Sequence, residues 1–173
     1  LALWAGLATA LTAINLRTAV TGFSPLLEII GSDLGFGLAL AGLLGTVPAA
    51  AFGVFGFMAP VVTRRYGLER TAAVALGLSA VALALRAFAT SPALLVMATV
   101  LALAGIGATN VVIVPLIKAW FPDHIAAWTS SYLLLLQTGQ FVAPLLAVPV
   151  AEAAGWRVSI GVWAVPAVLA AAV

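Results

Sequence analysis

The sequence contains no cysteine and very few charged residues. Charged side chains make up 7% of its 173 residues, whereas a soluble domain carries about 25%. Without cysteine there are no disulfides, thiolate nucleophiles or cysteine metal sites. Seven Lys and Arg against five Asp and Glu leave a net charge of +2. So small and scattered a surplus does not form a phosphate-binding surface, and we expect no nucleic-acid partner.

Catalytic and cofactor signatures are also missing. The single histidine, His124, lies in the short connection Pro122-Asp123-His124 at the expected cytoplasmic edge, where we expect a solvated loop residue and not a catalytic base. The chain has no His-Glu-x-x-His zinc motif and no phosphate-binding glycine-rich motif followed by Lys and Ser or Thr. We therefore expect no enzyme, no metal and no cofactor. An intramembrane enzyme remains the least favoured alternative.

Hydrophobic residues dominate the chain at 65%, and 16 glycines and nine prolines are spread among them. Transmembrane helices tolerate both residue types better than soluble helices do. A spanning helix needs about 20 apolar residues, and the charges divide the sequence into runs that suit six such helices. We expect spans at about 1–27, 38–63, 71–88, 93–118, 126–150 and 157–173. The lipid bilayer is therefore the expected environment, and the short connections predict an up-and-down bundle.

The distribution of cations predicts an orientation. Arg64, Arg65, Arg70 and Lys118 flank two connections on one side of the expected membrane. Cytoplasmic loops carry an excess of Lys and Arg, so this side, and with it the N-terminus, is predicted to be cytoplasmic.

The two halves of the sequence resemble each other at an offset of 87 to 90 residues. The matching pairs are Pro25 with Pro115, Pro60 with Pro149, Gly67 with Gly155, and Arg70 with Arg157. Three helices would then repeat as three. Because three is odd, the second copy would cross the membrane in the opposite direction, which predicts an inverted 3+3 repeat.

Arg17 is the most informative polar residue. A guanidinium near the centre of a spanning helix costs about 2.5–3.5 kcal/mol and cannot be neutralised by losing its proton. One interpretation is that Arg17 binds an anionic or strongly polar solute in a cavity. The other is a permanent salt bridge, either to Glu28, about 16 Å further along a continuous helix, or to a counter-charge supplied by a missing second half.

Further polar side chains are expected inside the spans. The candidate substrate-binding residues, besides Arg17, are Asn15, Thr21, Thr46, Asn110, Tyr132, Gln137 and Gln140. As a group they favour a polar cavity, whereas each taken alone could simply form hydrogen bonds between helices. The latter alternative corresponds to a structural or scaffold membrane protein that transports nothing.

Several stretches resemble the cyanate/2-nitroimidazole permease branch of the major facilitator superfamily. The stretch from Asn15-Leu16-Arg17-Thr18 to Pro25-Leu26-Leu27 resembles that branch's first helix, with Thr18 in place of the usual proline. Gly105-Ile106-Gly107 with Pro115-Leu116-Ile117-Lys118, and Gly155-Trp156-Arg157, also fit. The stretch Arg64-Arg65-Tyr66-Gly67-Leu68-Glu69-Arg70 is similar to the superfamily's cytoplasmic loop motif, at Arg64, Arg65, Gly67 and Arg70, although Thr63 stands where that motif has an acid.

The resemblance implies the N-terminal six-helix half of a twelve-helix secondary transporter, located in a bacterial inner membrane. Its partners would be the missing C-terminal half and a small solute bound between the halves near the midplane. Carried over residue by residue, the resemblance makes Arg17 the anion-attracting group and Asn15 its neighbour in the motif.

Overall fold

The computed structural model describes residues 2–172, and every regular element in that range is helical. Leu1 and Val173, which we place at the outer limits of the first and last expected spans, lie outside the described residues. The helices are α1 Ala2–Thr21, α2 Leu27–Leu34, α3 Leu38–Tyr66, α4 Leu68–Ala87, α5 Pro92–Trp120, α6 Ile125–Ala154, α7 Trp156–Gly161 and α8 Ala164–Ala172. Short 3-10 turns cover Ser24–Leu26 and Pro122–His124.

Six helical segments make up the membrane bundle: α1, α3, α4, α5, α6, and α7 together with α8. By length and composition, four of these helical stretches can cross a membrane, namely Leu38–Tyr66, Leu68–Ala87, Pro92–Trp120 and Pro122–Ala154. Helix α1 has 20 residues, which include the polar Asn15 and Arg17, and is not one of these four. The last segment, Trp156–Ala172, is apolar but shorter. The predicted all-helical, six-helix membrane fold is confirmed.

The sixth segment is broken between α7 and α8, at Val162 and Trp163. Pro166 has no backbone N–H and cannot donate to the carbonyl four residues earlier, that of Val162. That carbonyl instead accepts a bond from Val165, at an N···O distance of 3.2 Å. The break lies where α8 meets α1.

The packing of the helices displays the inverted repeat. Helix α1 packs along α6 as α5 packs along α3, and α4 packs against α7 and α8. The connections after the second helix of each copy are single glycines with nearly the same backbone, φ 87° and ψ 162° at Gly67 and φ 89° and ψ 153° at Gly155. Such a positive φ strongly favours glycine. Pro25 and Pro115 are not equivalent locally, because Pro25 lies in a 3-10 turn and Pro115 inside α5.

Small residues bring the repeat's helices into close contact. A Cβ atom added to Gly105 in α5 would collide with the Ala75 carbonyl and the Ser79 hydroxyl of α4. A Cβ atom at Gly139 in α6 would lie 3.1 Å from the Ile14 carbonyl oxygen of α1. These glycines therefore set the α4–α5 and α1–α6 distances.

Polar contacts fasten both ends of the bundle. At the end where Arg64–Arg70 lies, hereafter the motif end, the Trp120 indole donates to Glu69 Oε1 at 3.0 Å. At the opposite end, the Asp33 end, Asp33 Oδ2 accepts from the Trp156 indole at 2.9 Å and from Arg157 at 3.0 Å. These two hydrogen bonds, the indole's first, hold the pKa of Asp33 below its usual value. They connect α2 to α7.

Candidate functional site

Arg17 lies one turn before the end of α1 and is partly buried. Among the residues that the structure describes, the recorded ion pair is Arg157–Asp33, and no carboxylate lies within salt-bridge distance of Arg17. Helix α1 ends at Thr21, so Glu28 belongs to the separate helix α2, where it is exposed. The alternative salt bridge to Glu28 is not formed.

Two predicted residues from other helices lie together near Arg17. The hydroxyl of Tyr132, in α6, donates a hydrogen bond to Asn110 Oδ1, in α5, at 3.2 Å. Tyr132 is buried and Asn110 is exposed, and α1, which carries Arg17, contacts both α6 and α5. Arg17, Asn110 and Tyr132, hereafter the Arg17 cluster, thus bring together donors and an acceptor from three helices. Such a set can hold a small anionic or polar group.

The other predicted polar residues are placed differently. Thr21 donates to the Arg17 carbonyl at 2.9 Å, within its own helix. Thr46 does the same with the Leu43 carbonyl, also at 2.9 Å, on the exposed part of α3. On α6, Gln137 is exposed and Gln140 is half-buried. Threonine bonds of this kind satisfy the hydroxyl locally. Thr21 is therefore joined to Arg17 only through its backbone carbonyl, and Thr46, Gln137 and Gln140 have no recorded hydrogen bond to the Arg17 cluster among the described residues.

Asn15 points away from the Arg17 cluster. Residues two positions apart on an α-helix differ by about 200° around its axis, so Asn15 and Arg17 cannot share a face. Asn15 is fully buried, and its Nδ2 donates to the Trp163 carbonyl at 3.1 Å, at the break between α7 and α8. Its Oδ1 is buried without a recorded partner within the described part of the chain. The structure therefore joins Asn15 to the sixth segment.

The loop-motif residues Arg64, Arg65, Gly67 and Arg70 are exposed at the motif end. A cavity of about 340 Å³ beside them is lined by Tyr66, Gly67, Leu68, Glu69, Arg70, Leu116 and Ala119. A larger one of about 490 Å³, between α3, α4 and α5, is almost entirely apolar. Neither of these two cavities includes the Arg17 cluster, in which Asn110 is exposed, Arg17 is partly buried and Tyr132 is buried. His124 is exposed in its 3-10 turn.

Arg86, near the end of α4, is the functional candidate that sequence reasoning missed. The sequence places it close to a membrane boundary, yet its side chain is only 2% exposed. Its Nη2 donates to the Ala19 carbonyl of α1 at 3.0 Å. Its Cζ lies 4.5 Å from the centre of the Phe23 ring. One signal could have found it: Arg86 continues the three- and four-residue spacing of Ala75, Ser79 and Leu83, which marks a packed helix face.

The six-helix bundle and its inverted repeat define an integral membrane protein that carries half of a secondary-transporter fold. The chain belongs to the Major Facilitator Superfamily, whose sequence profile matches residues 6–173. This result confirms the family predicted from the sequence.

Curated relatives come from bacteria. The chain is 36% identical to the 2-nitroimidazole transporter of Escherichia coli K12 over 84% of this chain and 37% of the relative. It is 30% identical to the uncharacterized transporter YycB of Bacillus subtilis 168, over 91% of this chain and 40% of the relative. Identity to the cyanate transport protein CynX of Escherichia coli K12 is 27%, over 92% and 42% respectively. The chain thus spans about two fifths of the length of these relatives.

Solved structures show the same fold. A peptide transporter POT, an E310Q mutant in complex with alafosfalin, superposes with a TM-score of 0.78 at 17% identity. The match covers 99% of this chain and 36% of that one. The same mutant in complex with sulfate superposes with a TM-score of 0.72 at 18% identity, over 98% and 35%. At these identities the likeness concerns the fold alone.

Proposed function

We propose that this chain is the N-terminal half of a secondary active transporter that moves a small anionic or polar organic solute by alternating access. The family and the named transporters among its relatives support this proposal. A second six-helix half would pack against the open surface of this one. The solute would bind between the halves, near the midplane, as in transporters of this fold.

The observation that carries the proposal is that Arg17 has no carboxylate partner among the described residues, on a helix that packs against α5 and α6, which carry the Tyr132–Asn110 hydrogen bond. A cation inside the membrane is costly and is expected to face a polar cavity or a partner. The planar guanidinium offers paired N–H donors to an anion, and it remains charged at any physiological pH. Arg17 therefore attracts the solute, while the Asn110 amide N–H groups, oriented by the Tyr132 hydroxyl on Asn110 Oδ1, donate further hydrogen bonds to it.

The solute class follows from the same chemistry. Cyanate is a small anion and 2-nitroimidazole a small polar heterocycle, and relatives carry both names. Thr21, Thr46, Gln137 and Gln140 would line the wider path of the solute. Asn15 would contribute indirectly, by holding α8 against α1, since its amide is bound to Trp163.

We also propose a bacterial inner membrane as the location, with the motif end in the cytoplasm. Arg64, Arg65, Arg70 and Lys118 are all exposed at the motif end. At the Asp33 end, the exposed cation Arg157 is paired with Asp33 and Arg86 is buried. This asymmetry follows the positive-inside rule. In a cysteine-free protein, a membrane-impermeant thiol reagent should label Asp123→Cys from the cytoplasmic side and Ser32→Cys from the other side. The reverse pattern would overturn the orientation.

The test of function is uptake of cyanate and of 2-nitroimidazole by the full-length protein in proteoliposomes. Arg17→Lys keeps the charge but loses the fork. Losing one charge-assisted hydrogen bond costs about 1.5–3 kcal/mol. The ratio of the maximal uptake rate to KM should therefore fall at least about tenfold. Arg17→Gln should abolish cyanate uptake.

Arg157→Lys is the matched control, because it changes the same side chain at an exposed ion pair of the Asp33 end. It should leave uptake kinetics unchanged. Wild-type kinetics in Arg17→Lys and Arg17→Gln would remove Arg17 from the binding site. If the wild-type protein takes up neither solute, the proposed transport of these two solutes fails and the structural or scaffold alternative is favoured.

A further inference from the structure

Helix α1 ends, just beyond Arg17, with a carbonyl that accepts no recorded backbone hydrogen bond. Gly22 N–H donates to the Thr18 oxygen at 3.0 Å, and Phe23 N–H donates to the Val20 oxygen at 3.4 Å. The tightening of this last turn leaves the Ala19 carbonyl without a recorded backbone donor. A carbonyl left free at the end of a helix needs another donor when it is buried, and Ala19 is 1% exposed.

Arg86 supplies that donor from a different helix. Its Nη2 lies 3.0 Å from the Ala19 oxygen, and the Phe23 ring covers the guanidinium. The close contact of Ala87 with Gly161, where an added Cβ would lie 3.1 Å from the Ala87 Cβ, fixes the end of α4 against α7. The end of α4, which carries the guanidinium, is thus fixed against α7, and the guanidinium itself binds the end of α1.

The C-terminal end of α1 explains why the charged side chain of Arg86 is tolerated in the core. Within the described residues no carboxylate pairs with it, and its Nε is buried without a recorded partner. The C-terminal end of an α-helix carries about half a negative elementary charge, and a cation there is favourable. The α1 terminus therefore takes the place of an acidic partner, and the Phe23 ring adds a cation–π contact.

We propose that Arg86 is a positioning residue that caps the C-terminus of α1 and thereby fixes Arg17. Arg17 lies two residues before Ala19 in the same helix, and its own carbonyl accepts the Thr21 hydroxyl in that last turn. If the end of α1 loosened, the Arg17 guanidinium would lose the position that this last turn gives it. This inference rests on the proposed function for its effect on solute binding, whereas the cap itself does not.

Hydrogen exchange of the full-length protein tests the cap without any solute. Arg86→Gln removes the charge and Arg86→Lys retains it. We expect amides in the segment 22–26 to exchange at least about tenfold faster in Arg86→Gln, with Arg86→Lys between that variant and the wild type. Arg157→Gln, which removes an exposed cation from the same end of the bundle, should leave these amides unchanged. Wild-type exchange in both Arg86 variants would overturn the cap.

Cyanate uptake, normalised to folded protein, tests the positioning. We expect KM to rise about fivefold or more in Arg86→Gln and to recover partly in Arg86→Lys. A merely structural role would lower the yield of folded protein and leave KM unchanged, and that outcome would overturn the positioning role. If Arg86→Gln does not fold, Arg86→Lys decides: faster exchange with a raised KM supports the proposal, and wild-type values of both refute it. If Arg17 variants keep normal uptake while the exchange result holds, the proposed function fails and the cap stands.

Discussion

Replacing Gly105 by alanine tests the closest helix contact in the bundle. The added Cβ would collide with the Ala75 carbonyl and the Ser79 hydroxyl, and it would lie 2.9 Å from the Ser79 nitrogen. The hydroxyl has little freedom to move, because it donates to the Ala75 oxygen at 2.9 Å. Overpacking of this kind costs about 1–3 kcal/mol. The higher helix propensity of alanine returns up to about 1 kcal/mol.

Gly77→Ala in α4 is the matched control, because a Cβ atom there meets no atom within 4 Å. Both substitutions gain the same helix propensity, so their difference isolates the cost of overpacking. We expect Gly105→Ala to be less stable than Gly77→Ala by about 1–3 kcal/mol. The assay is reversible unfolding of the full-length protein in mixed micelles at increasing fractions of sodium dodecyl sulfate. Equal unfolding free energies for the two variants would refute the α4–α5 contact.

Two further predictions concern Asp33 and Tyr132. The pKa of Asp33 is lowered in the folded protein by hydrogen bonds from the Trp156 indole and from Arg157. The ionised carboxylate therefore stabilises the fold at a pH above the unfolded pKa of about 4. This stabilisation disappears as the pH falls through the folded pKa. Asp33→Asn should therefore lower the Tm more at pH 7 than at pH 3, and an equal loss at both would contradict the sign. Tyr132→Phe removes the donor to Asn110, worth about 0.5–1.5 kcal/mol, and should weaken cyanate uptake about 2- to 10-fold, whereas Tyr66→Phe at the exposed motif end should not.

The helical layout could be predicted from the sequence because charges and short connections interrupt the apolar runs. The repeat could be predicted as well. Gly67 and Gly155 both have a positive φ, which few other residues tolerate, so the same backbone conformation requires glycine at both positions of the sequence.

The ends of helices were harder to predict. Hydropathy does not separate α1 from the 3-10 turn that follows it, since Gly22 to Leu27 is as apolar as a helix interior. The break at Val162 and Trp163 precedes Pro166, which cannot donate to the Val162 carbonyl. Proline is often accommodated in membrane helices, as Pro115 is within α5.

The site was predicted only in part because sequence gives depth more readily than direction. Asn15 and Arg17 are close in depth, yet the helical turn sends one toward Trp163 and leaves the other on the open surface. Arg86 was missed for a related reason. Its partner is a backbone carbonyl and a helix terminus, and neither appears in the sequence as a residue of opposite charge.

The central claim is that the Arg17 guanidinium holds the solute. Equilibrium binding of cyanate to the purified full-length protein, with Arg17→Lys and Arg17→Gln beside the wild type, tests it most directly. We expect a Kd at least about tenfold weaker in Arg17→Lys and no measurable binding in Arg17→Gln. Wild-type affinity for cyanate in Arg17→Gln would contradict it.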